Sequence, residues 1–184
     1  GPEGMLLYAR PERRARASAG VNWRFARGMV PCDLNFITRS PDGAVWVAGE
    51  HGVALHHDGH RWTRLRLPPE PWGRRTFLAL WGSGADDVWL SASNDYNKSE
   101  LLRFDGAVWR EVEAPEERAV VAFAGTARGA PYALTSAGVW RFDGATWACV
   151  HHDPDDALRA IYERGAGDLW VVGKDALVLH GTTA

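Results

Sequence analysis

The sequence predicts an all-β protein built from repeated four-stranded units. A Trp-bearing motif with an Asp-Gly turn occurs three times, at Asp58–Trp62, Asp105–Trp109 and Asp143–Trp147. A second aromatic motif occurs four times, at Ala44–Trp46, Asp87–Trp89, Ala130–Tyr132 and Asp168–Trp170. No segment shows the periodicity of a helix. Repeats of roughly 40 residues with four short strands each are typical of propeller blades. We therefore predict a small four-bladed β-propeller with four-stranded antiparallel blades.

Each unit divides into short apolar strands separated by turn residues. The first three units contain the predicted strands Leu34–Arg39, Ala44–Ala48, Val53–His57 and Arg61–Arg66, then Thr76–Trp81, Asp87–Ala92, Glu100–Phe104 and Val108–Glu113, then Ala119–Ala124, Pro131–Thr135, Gly138–Phe142 and Thr146–His151. The fourth unit contains only Ala157–Tyr162, Asp168–Val172 and Ala176–His180. Runs such as Val45-Trp46-Val47 are apolar on both faces of the strand, which indicates blades packed face to face.

The missing fourth strand of the last unit suggests how the propeller closes. Val21–Arg27 contains Trp23 and resembles the fourth strands of the other units. We expect it to pair with Ala176–His180, because closure removes two unpaired sheet edges. This defines an N-terminal arm at 1–20 and one propeller domain at 21–184. The predicted blades are 34–67, 76–114, 119–151 and 157–180 plus 21–28.

Composition restricts the function classes. The 21 basic and 23 acidic residues give a net charge of -2, which indicates neither a nucleic-acid nor a membrane partner.

Gly1–Gly4 resembles the remnant of a cleaved expression tag, with Met5 as the native start. No leader or membrane span is visible, so we expect a cytoplasmic protein that is a monomer or a weak oligomer. Cys32 and Cys149 are expected to be free thiols, although a disulfide between them is an alternative.

The repeats also resemble known propeller repeats. Asp42-Gly43-Ala44-Val45-Trp46-Val47-Ala48, followed by His51-Gly52-Val53-Ala54-Leu55, is similar to the repeat of bacterial two-component-regulator propellers. Trp81–Trp89, followed by Arg103-Phe104-Asp105-Gly106, resembles Trp-rich propeller repeats of GC-rich bacteria. The resemblance covers almost all of 21–180 and implies the propeller fold. It does not imply one function, since such repeats occur in sensors, lectins, lyases and scaffolds.

The loops divide into regular turns and irregular loops, and propeller topology places the irregular loops at one end. Variable loops on a regular scaffold are the usual location of binding residues. The candidate binding residues in these loops are Glu50, His51, Trp72, Arg74, Arg75, Asp95, Tyr96 and Lys174. Trp72 with its neighbouring arginines suits a sugar ring, a peptide or an anionic group, or alternatively caps a blade.

Two His-rich segments were considered as metal sites. His56 and His57 precede the repeated turn residue Asp58, so we interpret them as structural. A second cluster has no counterpart in the other units and offers candidate ligands for Zn²⁺ or another divalent ion: His151, His152, Asp153 and Asp155. A solvated acidic loop is the alternative interpretation. No catalytic motif is present, and no cofactor is expected.

The sequence therefore favours a non-enzymatic binding module that presents its irregular face to a protein partner. A lectin for a carbohydrate or small ligand, using Trp72 and Tyr96, is the first alternative. The second is a lyase or hydrolase using His51, His151 or His152.

Overall fold

The computed structural model of the chain describes residues 5–9, 23–27, 30–68, 75–93, 99–126 and 130–182. All the regular structure in these ranges is β-strand. The strands are β1 (Met5–Ala9), β2 (Trp23–Arg27), β3 (Leu34–Arg39), β4 (Val45–Gly49), β5 (Ala54–His57), β6 (Trp62–Arg64), β7 (Thr76–Gly84), β8 (Asp87–Ser93), β9 (Ser99–Phe104), β10 (Trp109–Val112), β11 (Ala122–Ala124), β12 (Tyr132–Leu134), β13 (Gly138–Phe142), β14 (Trp147–His152), β15 (Leu158–Gly165), β16 (Asp168–Gly173) and β17 (Val178–Thr182). Within these ranges no helix has the length and apolar character needed to cross a membrane.

The strands form the four blades of a β-propeller, as predicted. Blade 1 is β3-β4-β5-β6, blade 2 is β7-β8-β9-β10, blade 3 is β11-β12-β13-β14 and blade 4 is β15-β16-β17. Every pairing is antiparallel. The first strands of consecutive blades contact one another, β3 with β7, β7 with β11 and β11 with β15.

The predicted closing strand is wrong. Trp23–Arg27 pairs with Met5–Ala9 in a separate two-stranded sheet, with Trp23 opposite Ala9. The segment 5–9, which the sequence analysis placed in an arm, is therefore a strand. A hairpin partner that is close in the chain has a lower loop-closure cost than an edge more than 150 residues away. In the described part of the chain, blade 4 consequently has three strands.

The core lies between the blades. Trp46 and Ala48 of blade 1 pack against Phe77 and Leu90 of blade 2. Between blades 2 and 3, the Trp89 ring lies 4.9 Å from that of Phe142 and 5.4 Å from that of Trp147. The third interface joins Tyr132, Leu134 and Val139 of blade 3 to Leu158, Leu169 and Val171 of blade 4. This packing explains why the strands are apolar on both faces.

The repeated Asp-Gly turns are structural. Asp105 Oδ1 accepts hydrogen bonds from the backbone N–H groups of Ala107 (3.0 Å) and Val108 (2.9 Å). Gly106 has a φ of 91°, which is favourable only for glycine. Asp58 and Asp143 accept equivalent pairs of bonds. The interpretation of the Asp58 segment as a turn is confirmed.

Acidification should weaken these turns. Hydrogen bonds from Val108 and Ala107, followed by one from Arg110, lower the pKa of Asp105 from 3.8 to about 2. Because the folded-state pKa is below the unfolded value, the stabilisation is complete above pH 3.8 and is lost as the pH falls toward about 2. We expect Asp105→Asn to reduce the fall in melting temperature across that interval. An unchanged pH profile would show that Asp105 contributes nothing to acid sensitivity.

Candidate functional site

The irregular loops within the described residues are joined to neighbouring connections by backbone hydrogen bonds. The N–H of Glu50 donates to Asp33 O (3.0 Å), and the N–H of Gly52 donates to Arg75 O (3.1 Å). The N–H of Lys174 donates to Ala157 O (3.2 Å). Loops between second and third strands thus contact the connections between blades, as the propeller topology requires. We call this surface the loop end.

Three candidate binding residues of the loop end are accessible to a partner. His51 and Lys174 are exposed, and Glu50 is half-buried. His51 has a φ of 55°, and Asp175, next to Lys174, has a φ of 53°. Non-glycine residues seldom adopt this left-handed conformation. The binding role of these residues stays a prediction.

Arg75 has a contact within the protein. Its Nε lies 2.8 Å from Glu100 Oε2, and the Arg75 side chain is only 14% exposed. The ion pair connects the start of blade 2 to its third strand, so Arg75 is better placed to orient the loop end than to contact a partner. The remaining candidates, Trp72, Arg74, Asp95 and Tyr96, lie outside the described residues.

The His-rich candidate ligands have other partners. His151 Nε2 lies 2.5 Å from Asp156 Oδ2, and His152 Nε2 lies 3.8 Å from Glu116 Oε2. Asp153 and Asp155 are exposed in the adjoining loop, where Asp153 Oδ1 accepts a hydrogen bond from the N–H of Asp155. In the described ranges, no three His, Cys, Asp or Glu side chains are arranged to hold a metal ion. These distances therefore do not support a metal site at His151, His152, Asp153 and Asp155.

The structure also shows the positions of the two cysteines and of the three His residues named in the enzyme hypothesis. Cys32 is buried and Cys149 exposed, and both are free, as expected. Burial raises the pKa of the Cys32 thiol, which makes it a poor nucleophile. His51 lies in blade 1, whereas His151 and His152 lie on β14 of blade 3. The structure shows no contact that joins them.

The most distinctive surface is the face of blade 4 that points away from blade 3. Its residues follow the register Ala160–Val172–Val178 and Tyr162–Trp170–His180 across the three strands. We call this surface the free face. Tyr162 is 64% exposed, Val178 59% and Trp170 38%. Trp46 and Trp89, at the equivalent position in blades 1 and 2, are 2% and 0% exposed.

An ordered polar network holds Trp170 on the free face. The His180 ring stacks on Trp170 with centroids 4.1 Å apart. His180 Nε2 lies 2.8 Å from Asp168 Oδ1, and Arg164 Nε donates to Asp168 Oδ2 at 2.6 Å. The hydrogen bond with His180 is the largest cause that lowers the pKa of Asp168, and the bond from Arg164 lowers it further. Asp168 is therefore a stable carboxylate that fixes His180 against the exposed indole.

The free face could not be recognised in the sequence, because Trp170 occupies the same motif position as the packing residues Trp46 and Trp89. No local signal distinguishes Trp170 from its counterparts, because the difference lies in the blades that pack against Trp46 and Trp89 in the described part of the structure.

An open pocket lies beside the free face, at the interface of blades 3 and 4. Its volume is about 470 Å³, and its lining includes Val139, Val150, Leu169, Val171, Leu179 and Gly181. Val150 is 38% exposed. The walls are mainly apolar side chains, and His151 and His180 also line the pocket. A pocket of this size and lining suits an apolar or aromatic group.

Comparison with known proteins supports the fold and no finer assignment. No protein family matches the sequence, and no curated protein matches it. Among solved structures, YCF48 bound to a D1 peptide is similar, with a TM-score of 0.60 and 14% identity over 78% of this chain. The match covers 47% of that protein, so this chain spans about half of its length. At this identity, the likeness shows a β-propeller.

Proposed function

We propose that the protein is a non-enzymatic binding module for a protein partner and that the free face of blade 4 is its main contact surface. The exposure of Trp170 carries this proposal, because its counterparts Trp46 and Trp89 are buried by a neighbouring blade. Contiguous exposed apolar surface is typical of protein interaction sites. The structural neighbour, a propeller bound to a peptide, is consistent with such a role.

The composition of the free face suits a protein interface. Tyr and Trp are enriched at such interfaces, and charged residues are depleted at their centres. The centre here is Tyr162, Trp170 and Val172, while Arg164 and Asp168 lie beside it. The network around Asp168 holds the indole in one orientation, which reduces the entropy lost on binding. Trp170 and Tyr162 are the expected anchors.

Capture experiments with two surface variants can test the proposal. We expect Tyr162→Ser with Trp170→Ser to reduce capture of the partner by at least tenfold, as expected for loss of two aromatic anchors. The matched variant, Glu50→Ala with Lys174→Ala, changes the loop end and should retain capture. Thermal melts of both variants confirm that the blades remain folded. Loss of capture only in the loop-end variant would instead support the surface that the sequence predicted.

A further inference from the structure

The strand β17 has a free edge where the other blades have a fourth strand. Blades 1, 2 and 3 each end in a strand that begins with Trp and pairs with the third strand, namely β6, β10 and β14. In the described residues, β17 pairs only with β16. Its outer edge therefore offers backbone N–H and C=O groups to an added strand, a recognised mode of peptide binding.

The fourth-strand Trp fills the same place in each complete blade. It contacts the ring of the third-strand residue opposite, with centroid distances of 4.8 Å for His57–Trp62, 5.2 Å for Phe104–Trp109 and 5.1 Å for Phe142–Trp147. Trp109 also packs in a cluster with Leu65 and Leu67 of the preceding blade. Trp147 packs in the same way with Val112 and Ala114. The indole thus seals the groove between two blades.

In blade 4, the equivalent place is the open pocket. Leu169 pairs with Gly181 just as Val88 pairs with Phe104 in blade 2, so Gly181 stands where the other blades have an aromatic ring or His57. A Cβ added to Gly181 would have no atom within 4 Å. Val150 is the counterpart of Val112 in blade 3. It lies at the point where the pairing of β14 with β13 shifts register, between the partners of Val139 and Trp140, and its side chain lines the pocket. The repeat therefore leaves a vacant indole-sized position.

The acidic loops next to β17 favour basic residues in an added strand. Fourth strands run antiparallel to third strands, so Trp109 pairs near the end of β9 and Val112 pairs near its start. Residues after the aromatic group would therefore approach the start of β17, next to the loops at 153–157 and 173–177. The N–H of Lys174 donates to Ala157 O and so joins the two loops. The loops contain one ammonium group, that of Lys174, and four carboxylates, those of Asp153, Asp155, Asp156 and Asp175. Basic residues after the aromatic residue complement this charge.

We propose that the partner contributes an extended segment that pairs with β17 as a fourth strand, places a Trp or another large aromatic side chain in the pocket, and carries basic residues after it. This proposal rests on the proposed function and specifies the partner's chemistry. The alternate side chains of the segment would point to the side of the free face, beside Val178 and His180. The pocket and the free face then form one continuous binding surface on the two sides of β17.

A peptide with the sequence of residues 58–67, DGHRWTRLRL, is a suitable probe. It contains a fourth strand with Trp62 and carries Arg64 and Arg66 after the indole. We expect measurable binding by titration calorimetry, and at least tenfold weaker binding when the peptide carries Trp62→Ala. Replacing Arg64 and Arg66 of the peptide by Glu should weaken binding and reverse its salt dependence. Alternate amides of the bound peptide would face β17. N-methylation of that set should abolish binding, whereas N-methylation of the other set should leave binding largely intact.

Two protein variants locate the binding. Val150→Arg introduces a charge into the pocket wall and should weaken binding of the peptide at least tenfold. Val108→Arg changes a similarly exposed valine, 46% exposed, on blade 2 and should leave binding unchanged. Size-exclusion chromatography of both variants tests for self-association. A wild-type dimer that Val150→Arg converts to monomer would overturn the proposal in favour of a second copy.

Other results also distinguish the two proposals. Equal affinity for the Trp and Ala peptides, or equal affinity of the two protein variants, would overturn the strand-addition proposal. If the peptide fails but the free-face variant still loses its partner, the proposed function stands and this inference fails. If the peptide binds as described but partner capture is independent of Tyr162 and Trp170, the free face is the part that fails.

Discussion

Trp89→Ala is expected to lower the free energy of unfolding by about 3–5 kcal/mol, the range for loss of a large buried aromatic side chain. Trp89 is fully buried, and its ring contacts Phe123, Phe142 and Trp147 across the interface of blades 2 and 3. Its indole Nε1 also donates to Asp87 Oδ1 at 3.0 Å. The substitution therefore leaves a cavity and removes a hydrogen bond. Chemical denaturation measures the change directly.

Trp170→Ala is the matched control for that substitution. Trp170 has the same position in its blade, and the side chain of His180 lies above it much as that of Arg103 lies above Trp89. Because no blade in the described residues covers Trp170, which is 38% exposed, its removal should cost about 1 kcal/mol or less. Similar losses for the two variants would contradict the assignment of Trp170 to an open surface. A large loss at Trp170 alone would show that the free face is covered in solution.

Gly49→Ala is expected to destabilise the protein by about 3 kcal/mol, at the upper end of the usual cost of overpacking. A Cβ added to Gly49 would overlap the carbonyl oxygen of Asp33 and lie 2.9 Å from Leu34 Cα. Both obstructing atoms belong to the backbone, so a change of side-chain rotamer cannot relieve the clash. The segment at 33–34 would have to move away, although the N–H of Glu50 donates to Asp33 O at 3.0 Å.

Gly165→Ala provides the control for Gly49→Ala. Gly165 lies at the end of β15, and a Cβ added there meets no atom within 4 Å. This variant should be neutral or slightly stabilising, since alanine reduces the entropy of the unfolded chain. Thermal melts of the two variants compare the effects. Equal melting temperatures would show that the Asp33 backbone yields readily to an added methyl group.

Much of the fold could be predicted because its signals are local. The turn at Asp105 requires only that a carboxylate reach two N–H groups within three residues, so the Asp-Gly motif is sufficient to identify it. Strands such as β4 and β8 follow from short apolar runs between such turns. The three strands of blade 4 follow from the repetition of the pattern.

The candidate site was less accessible from the sequence. Its loop-end residues were found as breaks in the repeat, and the binding role of Glu50, His51 and Lys174 stays a prediction. The sequence predicted a binding role for Arg75, but folding brings Glu100 Oε2 to within 2.8 Å of Arg75 Nε. The free face was missed because Trp170 matches the repeat and differs from its counterparts only in what surrounds it. The pocket was missed because only the strand register shows that Gly181 takes the place of an aromatic residue.

The sequence by itself determined the strands of the four blades, their turns and the four-bladed arrangement, because these depend on apolar runs and on hydrogen bonds between residues close in the chain. Tertiary structure decided which copy of each repeated residue is covered. Trp89 and Trp170 occupy the same motif, yet among the blades that the structure describes, one covers Trp89 and none covers Trp170. It also decided that β2 pairs with β1 rather than with β17. A strand's own sequence does not specify its partner, since backbone hydrogen bonding is the same for every strand of suitable register.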